Sequence, residues 1–314
     1  MSVLDHKMLW MDIAALEQRL RDRPGDLASW RTYADWLSEQ GDARGALIRL
    51  EQRRERVAPS RRDALEREFA ELVGAHQDGW DAALPEGATV LERRYGFATK
   101  VAVEWSDDAP VVIERALREP FVTALHVASP EKEYYWEGED VVDADGEPLP
   151  DSGVDAGALA TLNLGRLVEL DLSYLRIGAL GAKALAVSMF LRGDEASAEG
   201  IATLDLRYSG VGNSGLAALA ASPSFGGVRR LHLQKNAITA QGMPALHRFA
   251  ELTELDLRYN EIGAEGVRAL LDAPFIGSLK RLLLYRADVG DDGAKMLAHA
   301  PQLPPALRSY WRSV

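Results

Sequence analysis

From Leu167 onward the chain repeats one order of apolar and polar positions. Five hexads, LVELDL, IATLDL, VRRLHL, LTELDL and LKRLLL, begin at Leu167, Ile201, Val228, Leu252 and Leu279. They share the form apolar-x-x-Leu-x-Leu. Alternation with period two puts every second side chain on one side of a strand, so these leucines point inward and their neighbours outward. Three residues after each hexad comes a turn position, and five after it an Ile or Val: Ile177, Val211, Ile238, Ile262 and Val289. A glycine follows four residues later (Gly181, Gly215, Gly242, Gly266, Gly293) and opens a short apolar segment with the stripe of a helix. The central leucines, Leu170, Leu204, Leu231, Leu255 and Leu282, are 34, 27, 24 and 27 residues apart. A period of this size predicts stacked strand–helix units that bury their apolar faces only against one another.

Upstream the period is helical. Trp10, Ile13, Leu16 and Leu20 recur at helical spacing, and Pro24-Gly25-Asp26 ends that helix and caps the next. Tyr33, Trp36 and Leu37 share a helical face before a turn at Gly41-Asp42. An Arg/Glu-rich helix with Leu47, Ile48, Leu50 and Val57 inward follows, then another over 61–73. Residues 1–95 are therefore expected to form an all-α domain. At Gly96 the period changes: Phe97, Val101 and Val103 alternate, 111–117 reads as a short helix, and Val122, Leu125 and Val127 repeat the hexad frame. These predict two opening units, and a last strand is expected near Leu307. Residues 96–314 then hold about seven units, with one stretched by an insert at about 129–150.

The repeats resemble leucine-rich repeats of the ribonuclease-inhibitor type. The resemblance implies an α/β solenoid, a leucine-rich-repeat horseshoe with parallel β-strands on the concave face and helices on the convex face. The asparagine usual at the turn position appears only as Asn236 and Asn260; Leu175, Ser209 and Ala287 stand there in the other units, so the buried amide ladder is expected to be incomplete. The run Tyr33-Ala34-Asp35-Trp36-Leu37 with Gly41-Asp42 and Arg44-Gly45 resembles the bacterial repeat-companion domain, which precedes repeats mainly in myxobacteria and planctomycetes. That resemblance implies a bacterial source and the same two-part architecture but no known activity. Asp35, Trp36 and Arg44 read either as a peptide-binding notch or, more simply, as a helical hairpin with a core Trp and a paired Asp and Arg.

Charge narrows the partners. A formal net charge of −12 argues against nucleic acid or an anionic membrane. Much of it is local: residues 129–157 hold ten acids against Lys132 alone, around Tyr134, Tyr135 and Trp136, and the rest of 96–314 is neutral. Asp143-x-Asp145-Gly146-Glu147 lacks the full acidic spacing of a calcium loop. The absence of cysteine excludes disulfides, thiolate metal sites and a cysteine nucleophile. No stretch has the length of a membrane span or the form of a signal peptide, so a cytoplasmic protein is expected.

Catalytic motifs are missing too. Gly210-x-Gly212-x-x-Gly215 matches a dinucleotide fingerprint, but Gly212 and Gly215 fall where sister repeats carry glycine, and no acid ends the next strand to hold a ribose. No cofactor is expected. His126 and His232 share a strand position but lie several repeats apart, too far for one metal. What remains is the outward side of the strands. Its first position reads Asp171, Asp205, His232, Asp256 and Leu283; its second Ser173, Arg207, Gln234, Arg258 and Tyr285; its third Tyr174, Tyr208, Lys235, Tyr259 and Arg286. Tyr and Arg are enriched in binding surfaces, whereas inherited repeats and Asp–Arg neutralisation would give the same ladders. The expectation is a non-catalytic, monomeric module that binds a protein on this face, the alternative being a regulator of an enzyme.

Overall fold

The computed structural model describes residues 3–54, 56–58, 62–130, 156–191 and 200–313. The acidic aromatic insert lies outside them. The chain divides into two compact units, Met1–Val101 with Arg115–Thr123, and Ala102–Glu114 with Ala124–Val314.

The first unit carries α1 (Val3–Asp22), α2 (Leu27–Glu39), α3 (Arg44–Arg54), α4 (Arg62–Asp81), β1 (Ala88–Arg94) and most of β2 (Phe97–Glu104). Asp26 starts α2 by accepting from the amides of Ala28 and Ser29 at 3.1 and 3.2 Å. The core gathers Leu16, Leu20, Trp30, Tyr33, Leu37 and Ile48 from the helices with Tyr95, Phe97 and Phe121. Trp30 packs edge-on to Tyr95 at 4.7 Å, and its indole donates to the Pro24 carbonyl at 2.9 Å. The unit is not all-α as expected. Tyr95 and Gly96, with φ of 52° and 85°, form a two-residue turn between β1 and β2. Tyr-Gly is an unusual pair for such a turn, and the aromatic ring is there for the core, where Tyr95 is buried. Of the residues of the supposed notch, Arg44 pairs with Asp42 at 2.6 Å and Asp35 with Arg49 at 2.7 Å, while Trp36 stacks on Tyr33. Trp36 is half-buried against the core, and both ion pairs lie within the α2–α3 hairpin, with Asp35 and Arg44 paired to other residues rather than to each other.

The second unit is a run of parallel strands with helices: α5 (Ala109–Ala116, shared with the first unit), β3 (Ala124–Ala128), α6 (Ala156–Ala160), β4 (Glu169–Asp171), α7 (Gly178–Val187), β5 (Thr203–Asp205), α8 (Gly212–Ala221), β6 (Arg230–His232), β7 (Glu254–Asp256), α9 (Gly263–Leu271), β8 (Arg281–Leu283), α10 (Arg286–His299) and α11 (Pro305–Ser313). It is an α/β repeat fold. From β3 to β8 each strand pairs in parallel with the next, and Leu125, Leu170, Leu204, Leu231, Leu255 and Leu282 fall in one register. All six are buried. Between β6 and β7 the helix is a 3₁₀ segment, Met243–Arg248, with Pro244 in its first turn.

Two features set the stacking distance. A Cβ on Gly215 would stand 2.8 Å from Val211 Cγ1 and 2.9 Å from Ala182 Cβ, so glycine there lets α7 and α8 approach. Beneath the turns runs a ladder of buried polar groups. Asn260 Oδ1 accepts from the amides of Asn236 and Ile238, and its Nδ2 donates to the Leu233 carbonyl at 2.8 Å. Asn236 repeats this one unit earlier, accepting from Val211 and donating to the Leu206 carbonyl at 2.7 Å. The ladder is more complete than its asparagines suggest. Ser209 donates to the Leu172 carbonyl at 2.8 Å, and Asp288 accepts from the amides of Tyr259 and Tyr285 at 3.0 and 2.6 Å.

The strand expected near Leu307 is absent; residues 305–313 are helical. Pro305 suits a helix start and no strand interior, and the helix buries Trp311.

Candidate functional site

Each strand of the second unit offers two outward side chains, one on either side of its central leucine. Across the register the first row reads Ala124, Glu169, Thr203, Arg230, Glu254 and Arg281, the second His126, Asp171, Asp205, His232, Asp256 and Leu283. The second row contains the predicted first positions. The first row was missed, although the same period-two rule applied one residue earlier would have found it.

Not all predicted residues face solvent. Asp205 and Asp256 are buried, at 6% and 3% exposure, and Asp171 is largely covered. The reason is local. Each of the three aspartates accepts from the amide two residues on, Ser173 at 3.0 Å, Arg207 at 3.1 Å and Arg258 at 3.2 Å, so the carboxylate turns the chain out of the strand. Arg207 and Arg258 then fold back. Arg207 Nε lies 2.9 Å from both Asp205 oxygens, and Arg258 meets Asp256 through Nε at 3.0 Å and Nη2 at 2.7 Å. Hydrogen bonding to Asp256 holds the Arg258 guanidinium pKa above its ordinary value. For Arg207, burial opposes charge, and contact with Asp205 outweighs it. Gln234 is buried as well and donates to Asp256 at 2.7 Å.

The histidines belong to two separate contacts. His126 Nδ1 stands 3.1 Å from Asp171 Oδ2, within ion-pair range but off the line of a good hydrogen bond. Burial would raise the Asp171 pKa, but contact with His126 and the hydrogen bonds from Ser173 bring it down to about 2. His232 sits between Asp205 and Glu254, each 3.2 Å from one ring nitrogen, and the Asp205 hydrogen bond raises its pKa.

Tyrosines dominate the third position. Tyr174 and Tyr208 stack with centroids 4.8 Å apart and planes at 11°; Tyr259 and Tyr285 meet edge to face at 5.0 Å. Arg258 lies 5.7 Å from the Tyr285 centroid. Tyr174, Tyr208, Lys235 and Tyr259 all have φ between 49° and 64°. Bulky residues rarely adopt this left-handed conformation, which costs on the order of 1–2 kcal/mol each. Their amides offset part of that cost, bonding the Arg207, Gln234 and Arg258 carbonyls and Asp288. Arg286, expected on this wall, begins α10 instead and pairs with Asp291 at 2.9 Å. Gly210, Gly212 and Gly215 of the dinucleotide-like run serve backbone turns and helix approach.

A leucine-rich repeat model matches residues 202–220 and 252–271. These are the β5–α8 and β7–α9 units, whose strands both continue as LDLRY. Among curated proteins no relative matches the chain. The matched leucine-rich repeats carry Asp205, Arg207, Tyr208, Asp256, Arg258 and Tyr259, six of the predicted site residues. Among the described residues no helix is long and apolar enough to cross a membrane.

Proposed function

We propose that the protein is a non-catalytic recognition module, monomeric and cytoplasmic, whose leucine-rich repeats bind another protein on the strand side. Strands stack at about 4.8 Å and helices need about 10 Å, so the helix side must be longer and the strand side concave. A surface formed in advance reduces the ordering cost of association. The observation that carries the reading is the tyrosine row. Tyr174, Tyr208 and Tyr259 occupy left-handed turn positions where Gly or Asn would be unstrained, and Tyr259 remains 51% exposed. Strained, bulky residues at this position in three of four successive units, with Tyr174 and Tyr208 half-buried against each other and Tyr259 in solvent, fit selection for contact rather than for folding.

The test compares three baits in affinity capture: wild type, Tyr208→Ala with Tyr259→Ala, and Arg268→Ala with Lys295→Ala on the helix side. The expected result is a protein retained by the wild type and by the helix-side pair and weakened by about 2 kcal/mol or more in the tyrosine pair, the scale of an interface hot spot. Loss with the helix-side pair and retention with the tyrosine pair would refute the reading.

A further inference from the structure

The strand face is layered by charge, which formal counting conceals. Four arginines lie along four successive strands: Arg207 two residues after β5, Arg230 on β6, Arg258 two residues after β7 and Arg281 on β8, the first and third folded back on their aspartates but still partly exposed. Each stands over a carboxylate that is less exposed than itself. Side-chain exposure is 36% for Arg207 against 8% for Asp205, and 30% for Arg258 against 4% for Asp256. It is 53% for Arg230 against 26% for Glu169, and 59% for Arg281 against 16% for Glu254. The acids form a floor and the guanidiniums a roof. Solvent therefore meets cations on this face of a protein whose formal charge is −12.

The floor also fixes the roof. Asp205 and Asp256 grip their arginines by the Nε edge, Thr203 accepts from Arg230 Nε at 2.9 Å, and Glu254 holds Arg281 Nη1 at 3.0 Å. A guanidinium offers five donors in a planar fork. Holding one edge of the fork orients the rest before any ligand arrives. With strands about 4.8 Å apart the four groups span about 14 Å, alternating between the two ends of the strands. Such a zigzag is too long for one carboxylate and suits an extended chain bearing several. Tyr259 and Tyr285 flank its β7–β8 end and supply aromatic contact.

We propose that the partner of this face is an extended acidic segment of a protein, rich in Asp or Glu, laid across β5–β8. The proposal rests on the recognition reading above and adds the chemistry of the partner. A nucleic acid is disfavoured because its phosphates continue beyond the four arginines and would meet a protein of formal charge −12, whereas a short acidic segment can end where the arginines end.

The test uses a fluorescein-labelled decaglutamate peptide, a labelled decalysine peptide and a labelled single-stranded decathymidylate, each titrated by anisotropy against the full chain. The expected result is saturable binding of decaglutamate, weaker as salt rises, with at least tenfold weaker binding of decathymidylate; decalysine, drawn to the acids of 129–157, should bind with an affinity that Arg230→Gln with Arg281→Gln does not reduce. Arg230→Gln with Arg281→Gln should reduce decaglutamate affinity at least tenfold while the melting curve is unchanged. The charge reversal Arg230→Glu with Arg281→Glu should abolish it. Failure of decaglutamate to bind, indifference to both pairs, or equal binding of decathymidylate would each overturn the proposal. If decaglutamate fails while the tyrosine pair still loses a captured protein, the recognition reading stands and only the acidic chemistry falls.

Discussion

Side chains one to three positions apart in the same turn do opposite jobs, and burial decides which. Asp256 caps the Arg258 amide, accepts from Gln234 and holds the Arg258 guanidinium, all at 3% exposure. Asp256→Ala should lower stability by about 2–3 kcal/mol, the cost of leaving buried partners of a charged acceptor unsatisfied. Tyr259→Asn, which relieves the left-handed strain at an exposed position, should leave stability within about 0.5 kcal/mol. Chemical denaturation of the two variants checks the contrast, and equal losses would contradict it. The Asp and Tyr ladders look alike in sequence, because repeat inheritance copies caps and contact residues with the same period; only exposure separates them. His232 gives a pH test. Its folded pKa is raised, first by the Asp205 hydrogen bond, so the protonated form is favoured in the fold. The contribution is complete below the unfolded value near 6.5 and is lost as pH rises through the raised folded value. Denaturation midpoints should thus fall as pH increases from about 6.5, and His232→Gln should flatten that dependence.

Between elements, the sequence pattern located most of the strands and helices because two periods, 2 and 3.6, alternate cleanly along the repeats. It failed where one residue served two purposes. Tyr95 is both turn and core, so β1 escaped notice, and Pro305 with Trp311 starts and anchors a helix where counting repeats suggested a strand. The polar ladder shows the same limit. Asn236 and Asn260 were visible as turn asparagines, whereas Ser209 reaches the equivalent carbonyl through a hydroxyl, and Asp288, one residue past the expected position, accepts from the neighbouring amide of Tyr259. Asn260→Ala would strand the amides of Asn236 and Ile238 and is expected to cost about 3 kcal/mol or more, since several buried groups lose partners together. Packing predicts a further loss at Gly266. A Cβ there would stand 2.7 Å from Ile262 Cγ2 and 3.1 Å from Met243 Cγ, so Gly266→Ala should destabilise by about 1–3 kcal/mol through overpacking. Thermal unfolding measures both, and a neutral Gly266→Ala would mean that the Ile262 and Met243 side chains both give way freely.

At the scale of the whole molecule, stability in a stack of repeats passes between neighbours, so the unit that follows β8 matters beyond its own size. Here α10 meets a helix, α11, in place of another strand. Trp311 is 5% exposed, and Arg312 Nε donates to the Ala298 carbonyl at 2.9 Å, near the end of α10. A buried Trp replaced by Ala typically costs about 3–5 kcal/mol. Two responses to Trp311→Ala are physically distinct. If the repeats unfold as one cooperative block, the denaturation midpoint falls while the slope against denaturant is unchanged. If nearest-neighbour coupling is weak, β8, α10 and α11 detach first, the main transition keeps its midpoint, and its slope falls with the smaller surface then exposed. The continuous polar ladder through Ser209, Asn236, Asn260 and Asp288 ties each turn to the next, and a chain of hydrogen bonds of this kind couples its members. The expected outcome is therefore the first: a lower midpoint at constant slope, read by urea denaturation monitored by circular dichroism. A reduced slope with an early phase of small amplitude would show that the ladder does not carry cooperativity to its Asp288 end.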